Sequence, residues 1–166
     1  GGGGAVTAGF ILNGEDVAFR GSPGARLIDI LRGEFGLSGA KACCLAGKCG
    51  LCSVIFNGSV SHACLIPAFR LGGSEVITIE GFSLTDEYQD IEAGFAEAQV
   101  ESCGYCRNGK ALAAGALLGR SKRPSREDIL RAADGIKCRC TDPELLAEGI
   151  ERALEARLRR LYGRSA

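Results

Sequence analysis

KACCLAGKCGLC, residues 41–52, places four cysteines between positions 43 and 52 with two glycines and little bulk between them. The whole chain has nine cysteines in 166 residues. An odd count with no charged-then-apolar leader speaks against a secreted disulfide framework. Thiols clustered in a reducing compartment point instead to a metal site, and the spacing of this stretch says which kind.

Counted from Cys44, the pattern is Cys44-x4-Cys49-x2-Cys52, and Cys64 follows after eleven intervening residues. That is the plant-type spacing for a 2Fe–2S cluster. Counted from Cys43, the first gap would be five residues, so Cys43 reads as a spare, a small buried side chain beside the site. Two ferric ions, two sulfides and four thiolates carry a net charge of about −2, and one more electron makes it about −3. Backbone N–H groups donating to the sulfurs would favour the reduced form. Gly47 and Gly50 are expected to let the chain wrap closely enough for that.

A second group lies downstream: Cys103-x2-Cys106 in SCGYC and Cys138-x-Cys140 in KCRC. Each pair falls between two helical patterns, so four thiolates could meet where two interhelical corners converge. Four thiolates also suit structural zinc, although zinc pairs usually keep two to four residues between ligands on both sides. Zinc stays open for this half taken alone.

The flanking sequence divides in character. GFILNGEDVAF and LCSVIFNGSVSHACL each carry Asn-Gly between apolar stretches, at Asn13-Gly14 and Asn57-Gly58, which predicts two hairpins. SPGARLIDILRGEFGL predicts one helix, capped at Ser22, stopped at Gly36, with Leu27, Ile28, Leu31 and Phe35 on one face. EVITIEGF alternates and predicts a closing strand. From Leu84 the pattern is helical throughout. Tyr88, Ile91, Phe95 and Ala98 or Gln99 make one stripe, and GKALAAGALLGR reads as a buried helix. Ser125 with Asp128 begins a third helix. Thr141 or Asp142 followed by Pro143 begins a fourth, with Leu146, Ile150, Leu154, Leu158 and Leu161 as its apolar face. The basic tail RLRRLYGR reads as a solvated face suited to a helix C-terminus. The expected class is α+β: a small mixed sheet with one crossing helix, then an all-helical half, divided near residues 80–87.

Other readings are excluded or bland. Twenty basic and twenty acidic side chains give no footprint for nucleic acid or a membrane surface. No apolar run approaches a membrane span, and a cytoplasmic location is expected. The chain contains no methionine, so its first residue is expected to lie inside a processed or longer chain, and GGGGAVTA, residues 1–8, to be a flexible start. The only histidine, His62, reads as an ordinary sheet residue, and no catalytic residue is expected.

The order and spacing of KACCLAGKCGLCSV, the NGS…SHACL hairpin, SCGYC and KCRCT resemble the small iron–sulfur subunit of the molybdenum hydroxylases, over roughly residues 9–160. This family includes the xanthine dehydrogenase, aldehyde oxidoreductase and carbon monoxide dehydrogenase types. The resemblance implies a ferredoxin-like (β-grasp) domain over residues 1–82 and a four-helix-bundle domain over 83–166, each with one 2Fe–2S cluster. Cys44, Cys49, Cys52 and Cys64 would hold the first, and Cys103, Cys106, Cys138 and Cys140 the second. It further implies a large molybdopterin-binding partner subunit as electron source, and an FAD-binding subunit or another acceptor as electron sink. A free-standing two-cluster ferredoxin, or a redox subunit of an unrelated oxidoreductase, is the alternative function. The chain departs from the family pattern at Ser102 (usually Gln), at Arg107 and Asn108 (Thr and Pro), at Asp142 and Pro143 (often Gly and Tyr), and at Cys43 (Gly).

Overall fold

The two Asn-Gly signals place four of the strands. In the computed structural model, which describes residues 3–163, Asn13-Gly14 turns between β1 (Val6–Leu12) and β2 (Glu15–Gly21), and Asn57-Gly58 between β3 (Ser53–Phe56) and β4 (Ser59–His62). Both residues of each turn have positive φ, as a two-residue hairpin of matching twist requires. β5 (Glu75–Ile77) lies between the hairpins, parallel to β1 and antiparallel to β3, so the sheet runs β2-β1-β5-β3-β4.

β1 starts two residues before the end of the segment expected to be flexible. Val6–Ala8 pair with Phe19–Gly21, because the Asn-Gly turn fixes a register that extends to the strand's first residue. Residues 1 and 2 lie outside the described residues.

Helix α1 (Leu27–Gly33) covers one face of the sheet and buries Leu27, Ile28, Ile30 and Leu31 against Phe10, Leu12, Val54 and Val76. It starts later than Ser22. The Ser22 carbonyl accepts from Ala25 N–H in a turn, and Arg26 bridges to Pro67 before the helix begins. It ends at Gly33, ahead of Gly36, and Phe35 still meets the Phe10 ring edge-on.

The expected closing strand is cut short. Asn13 Oδ1 accepts from Thr78 N–H at 2.8 Å and Asn13 Nδ2 donates to Thr78 Oγ1 at 2.9 Å. This clamp ends the ladder, and Ile79–Phe82 form the short helix α2. Ile79 and Phe82 turn away from the first core and join the second.

That second core is helical: α3 (Asp86–Glu97), α4 (Arg107–Arg120), α5 (Arg126–Asp134) and α6 (Pro143–Tyr162). Ser125 and Asp128 form the expected capping box, and Asp142 caps α6 ahead of Pro143. β3 is buried on both sides. Side chains alternate along a strand, so Val54 and Phe56 enter the first core while Ile55 enters the second. β3 therefore sends side chains into both cores.

α3 and α6 pack closely, with Gly94 against the backbone of Ala153 and Gly149 against Phe95. The buried Asp90 carboxylate takes Nε and an Nη of Arg160, and Arg157 donates to the Leu118 carbonyl. The basic tail is thus partly engaged rather than a wholly solvated face. The apolar stripe of α6 also fades toward its C-terminus: Leu146 and Ile150 are buried, Leu154 and Leu158 half-buried, and Leu161 exposed. No helix among the described residues is long and apolar enough to cross a membrane.

Candidate metal centres

Residues 39–51 form an irregular loop whose backbone turns around sulfur. Ala46 N–H and Lys48 N–H point at Cys44 Sγ, at 3.4 and 3.3 Å, and Leu51 N–H points at Cys49 Sγ at 3.5 Å. Such donors favour an anion, and they hold the Cys44 thiol down at about 6, Ala46 contributing most and Lys48 next. The glycines serve these donors indirectly. Gly47 and Gly50 have positive φ, and a Cβ would strike Leu65 at the first and come within 2.5 Å of the Gly135 carbonyl oxygen at the second. The donated N–H groups belong to their neighbours.

The second hairpin returns the fourth cysteine. β3 and β4 pair Ser53 with His62, and Ala63 N–H reaches the Cys52 carbonyl at 3.2 Å. Cys64 then comes back beside Cys52, both buried at 3 % exposure. Burial pushes the Cys52 thiol up to about 11, and the adjacent Cys64 thiol adds to it. The sulfurs fall into two neighbouring pairs, Cys44 with Cys49 and Cys52 with Cys64. A two-iron core has two ends, each needing a pair of thiolates. Cys43 is exposed, not buried as expected, and holds none of these contacts. His62 ends β4, half-buried, with Nδ1 lacking a hydrogen-bond partner.

In the helical half the sulfurs of Cys103, Cys106 and Cys140 lie within 4.8 Å of one another, and Cys138 Sγ lies 3.1 Å from Cys106 Sγ. Both pairs precede helix N-termini. Cys106 is the N-cap of α4, and Cys140 stands two residues before the Asp142 cap of α6. Two helix dipoles therefore favour negative charge at this point. Cys103 is exposed and is held down at about 7, chiefly by the N–H groups of Cys106 and Tyr105. Burial pushes Cys106 up to about 12, with the neighbouring thiols adding to it and Lys110 opposing. At Cys138 burial opposes the thiolate, but Cys106, the Cys140 N–H and Lys110 outweigh it and hold that thiol at about 7.

All eight predicted residues therefore lie in two thiol clusters. Sulfur donors, N–H groups aimed at sulfur and converging helix ends fit an anionic iron–sulfur group. The donor set alone does not exclude zinc at the second cluster.

A family model for the [2Fe–2S] binding domain matches residues 78–151. The nicotinate dehydrogenase small FeS subunit of Eubacterium barkeri is 40 % identical over 136 residues, 82 % of this chain and 87 % of that one. The chain belongs to the small iron–sulfur subunits of the molybdenum hydroxylase family. The xanthine dehydrogenase iron-sulfur-binding subunit of Escherichia coli is 30 % identical over 147 residues, 87 % of this chain and 92 % of that one. Among solved structures, quinoline 2-oxidoreductase from Pseudomonas putida 86 superposes with a TM-score of 0.81 at 28 % identity, covering 98 % of this chain and all of that chain. As a small iron–sulfur subunit of oxidoreductase complexes, the chain binds a 2Fe–2S cluster.

The residues that depart from the family pattern have identifiable places. Arg107 pairs with Glu92 of α3, and Asn108 Nδ2 donates to the Gly39 carbonyl at 3.1 Å, tying α4 to the cysteine loop. Ser102, with Cys103, Cys140, Arg107 and Glu92, lines a cavity of about 710 Å³ beside the second thiol cluster. Gly109 is buried, and a Cβ there would stand 2.9 Å from the Gly50 carbonyl oxygen.

Two contacts escaped the sequence. Lys137 N–H donates to the Cys49 carbonyl at 2.9 Å, joining the two clusters, and no residue type signals a backbone contact between distant loops. Lys110 is buried at the second cluster. A lone cation inside the apolar run GKALAAGALL was the signal for it.

Proposed function

We propose that the chain is a two-step electron conductor. Residues 1–82 are the ferredoxin-like (β-grasp) domain, holding one 2Fe–2S cluster on Cys44, Cys49, Cys52 and Cys64. Residues 83–166 are the four-helix-bundle domain, holding a second on Cys103, Cys106, Cys138 and Cys140. Electrons enter at the helical site from a molybdopterin-containing partner subunit. They leave from the loop site to an FAD-binding subunit or another acceptor, in the cytoplasm.

A bound 2Fe–2S cluster supplies one-electron uptake and release. The chain's own residues position and link the two sites. The observation that carries this reading is the hydrogen bond from Lys137 N–H to the Cys49 carbonyl, which connects neighbours of both clusters through one non-covalent step. The exposed Cys103 and Cys140, beside the Ser102 cavity, support entry at the helical site. Freeze-quenching the whole complex during its first turnover tests this. Both cluster signals should appear reduced within that turnover. A site that stays oxidised throughout would remove it from the electron route.

A further inference from the structure

Lys110 heads the largest side chains held almost wholly out of solvent, at 1 % exposure. It stands four residues after Cys106 on α4, so the two share a helix face. Its Nζ donates to Thr141 Oγ1 at 2.6 Å, and the Thr141 hydroxyl donates onward to the Glu101 carbonyl. Thr141 directly follows Cys140. The ammonium is thus held between Cys106 on one side and the Cys138–Cys140 corner on the other.

Among the described residues no carboxylate pairs with Lys110, whereas Arg107, Lys137 and Arg160 all have acidic partners. A buried charge without a counter-ion is strongly unfavourable. The groups beside Lys110 that can carry negative charge are sulfurs: Cys106 stands one turn before it on α4, and its acceptor Thr141 directly follows Cys140. Among the described residues the loop cluster has no equivalent buried cation. Lys48, whose N–H serves Cys44, carries an exposed side chain, and a charge in water is screened where a buried one is not.

We propose that Lys110 sets the reduction potential of the helical-site cluster, acting as a fixed positive charge that favours the reduced, more anionic state. This rests on the two-cluster reading. In the step concerned, one electron arrives from the molybdenum partner, or from dithionite in a test. One ferric ion becomes ferrous, no bond forms or breaks, and the site charge goes from about −2 to about −3. Lys110 acts on that difference alone.

The experiment is a redox titration of the full holo chain followed by electron paramagnetic resonance, comparing wild type with Lys110→Met and Lys110→Gln. Glutamine removes the charge and keeps a donor for Thr141. At the wild-type midpoint, the reduced-to-oxidised ratio of the helical cluster should fall about tenfold or more in both variants, with the loop cluster unchanged. An unmoved helical potential, or a fall in Met but not in Gln, overturns the proposal. If neither variant assembles the helical cluster, wild-type protein labelled with ¹⁵N only at the lysine side chains decides. Nitrogen coupling should appear on the helical signal and not on the loop signal, and its absence overturns the proposal. Failure of the two-cluster reading would show separately, as wild-type protein lacking one signal and half its iron.

Discussion

The main-chain N–H of Lys137 donates to the carbonyl oxygen of Cys49 at 2.9 Å. Lys137 precedes Cys138, so this one hydrogen bond joins the two thiol clusters. It survives because the chain is bare on both sides of it: Gly50 lies against Gly135, and Gly109 against Gly50.

Gly109→Ala tests that seam. The new Cβ would stand 2.9 Å from the Gly50 carbonyl oxygen, so α4 or the cysteine loop must shift. Overpacking typically costs about 1–3 kcal/mol, against roughly 1 kcal/mol gained from helix propensity, so stability should change little or fall modestly. The larger effect should be on electron equilibration between the clusters. Flash reduction should show it slowed several-fold with both clusters present.

Cys43→Ser should keep all iron, and Cys44→Ser should lose the loop cluster while retaining the helical one. Cys44 Sγ receives two backbone N–H groups, and Cys43 is exposed and receives none. Iron and labile sulfide per chain decide it. Loss in the Cys43 variant with retention in the Cys44 variant would reverse the assignment.

Gly94→Ala should destabilise the helical half. Its Cβ would overlap the backbone nitrogen of Ala153, and backbone cannot rotate aside as a side chain can. The expected loss is about 1–3 kcal/mol, which outweighs alanine's helix advantage of about 1 kcal/mol. Thermal bleaching followed by visible absorption should show one cluster lost earlier than in wild type.

Ser102→Gln should leave cluster assembly intact. Ser102 lines the cavity beside Cys103 and Cys140, and no predicted ligand depends on it. In the assembled complex the longer side chain should change the rate at which substrate bleaches the clusters. An unchanged rate would mean that the cavity does not face the electron donor.

Much of this was legible in the sequence because it was local. Asn-Gly turns, the Ser125 capping box, Pro143 at a helix start and the cysteine spacings each depend on residues a few positions apart. What escaped was tertiary. EVITIEGF alternates like a strand through residue 82, yet the side chain of Asn13 clamps Thr78 and ends the ladder at Ile77. Nothing near Gly109 in the sequence marks it as a contact, yet Gly50 lies against it. Arg160 looked solvated and is paired with Asp90. In each case a residue tens of positions away decided the outcome.

In the two-cluster proposal, each set of four cysteines holds a 2Fe–2S cluster in one chain. Iron, labile sulfide and zinc counted on the purified holo protein, alongside magnetic resonance of the reduced sample, test it most directly. Two clusters require about four irons and four sulfides per chain, no stoichiometric zinc and two distinct signals. Saturation at about two irons, or a single signal with zinc at Cys103, Cys106, Cys138 and Cys140, would contradict it.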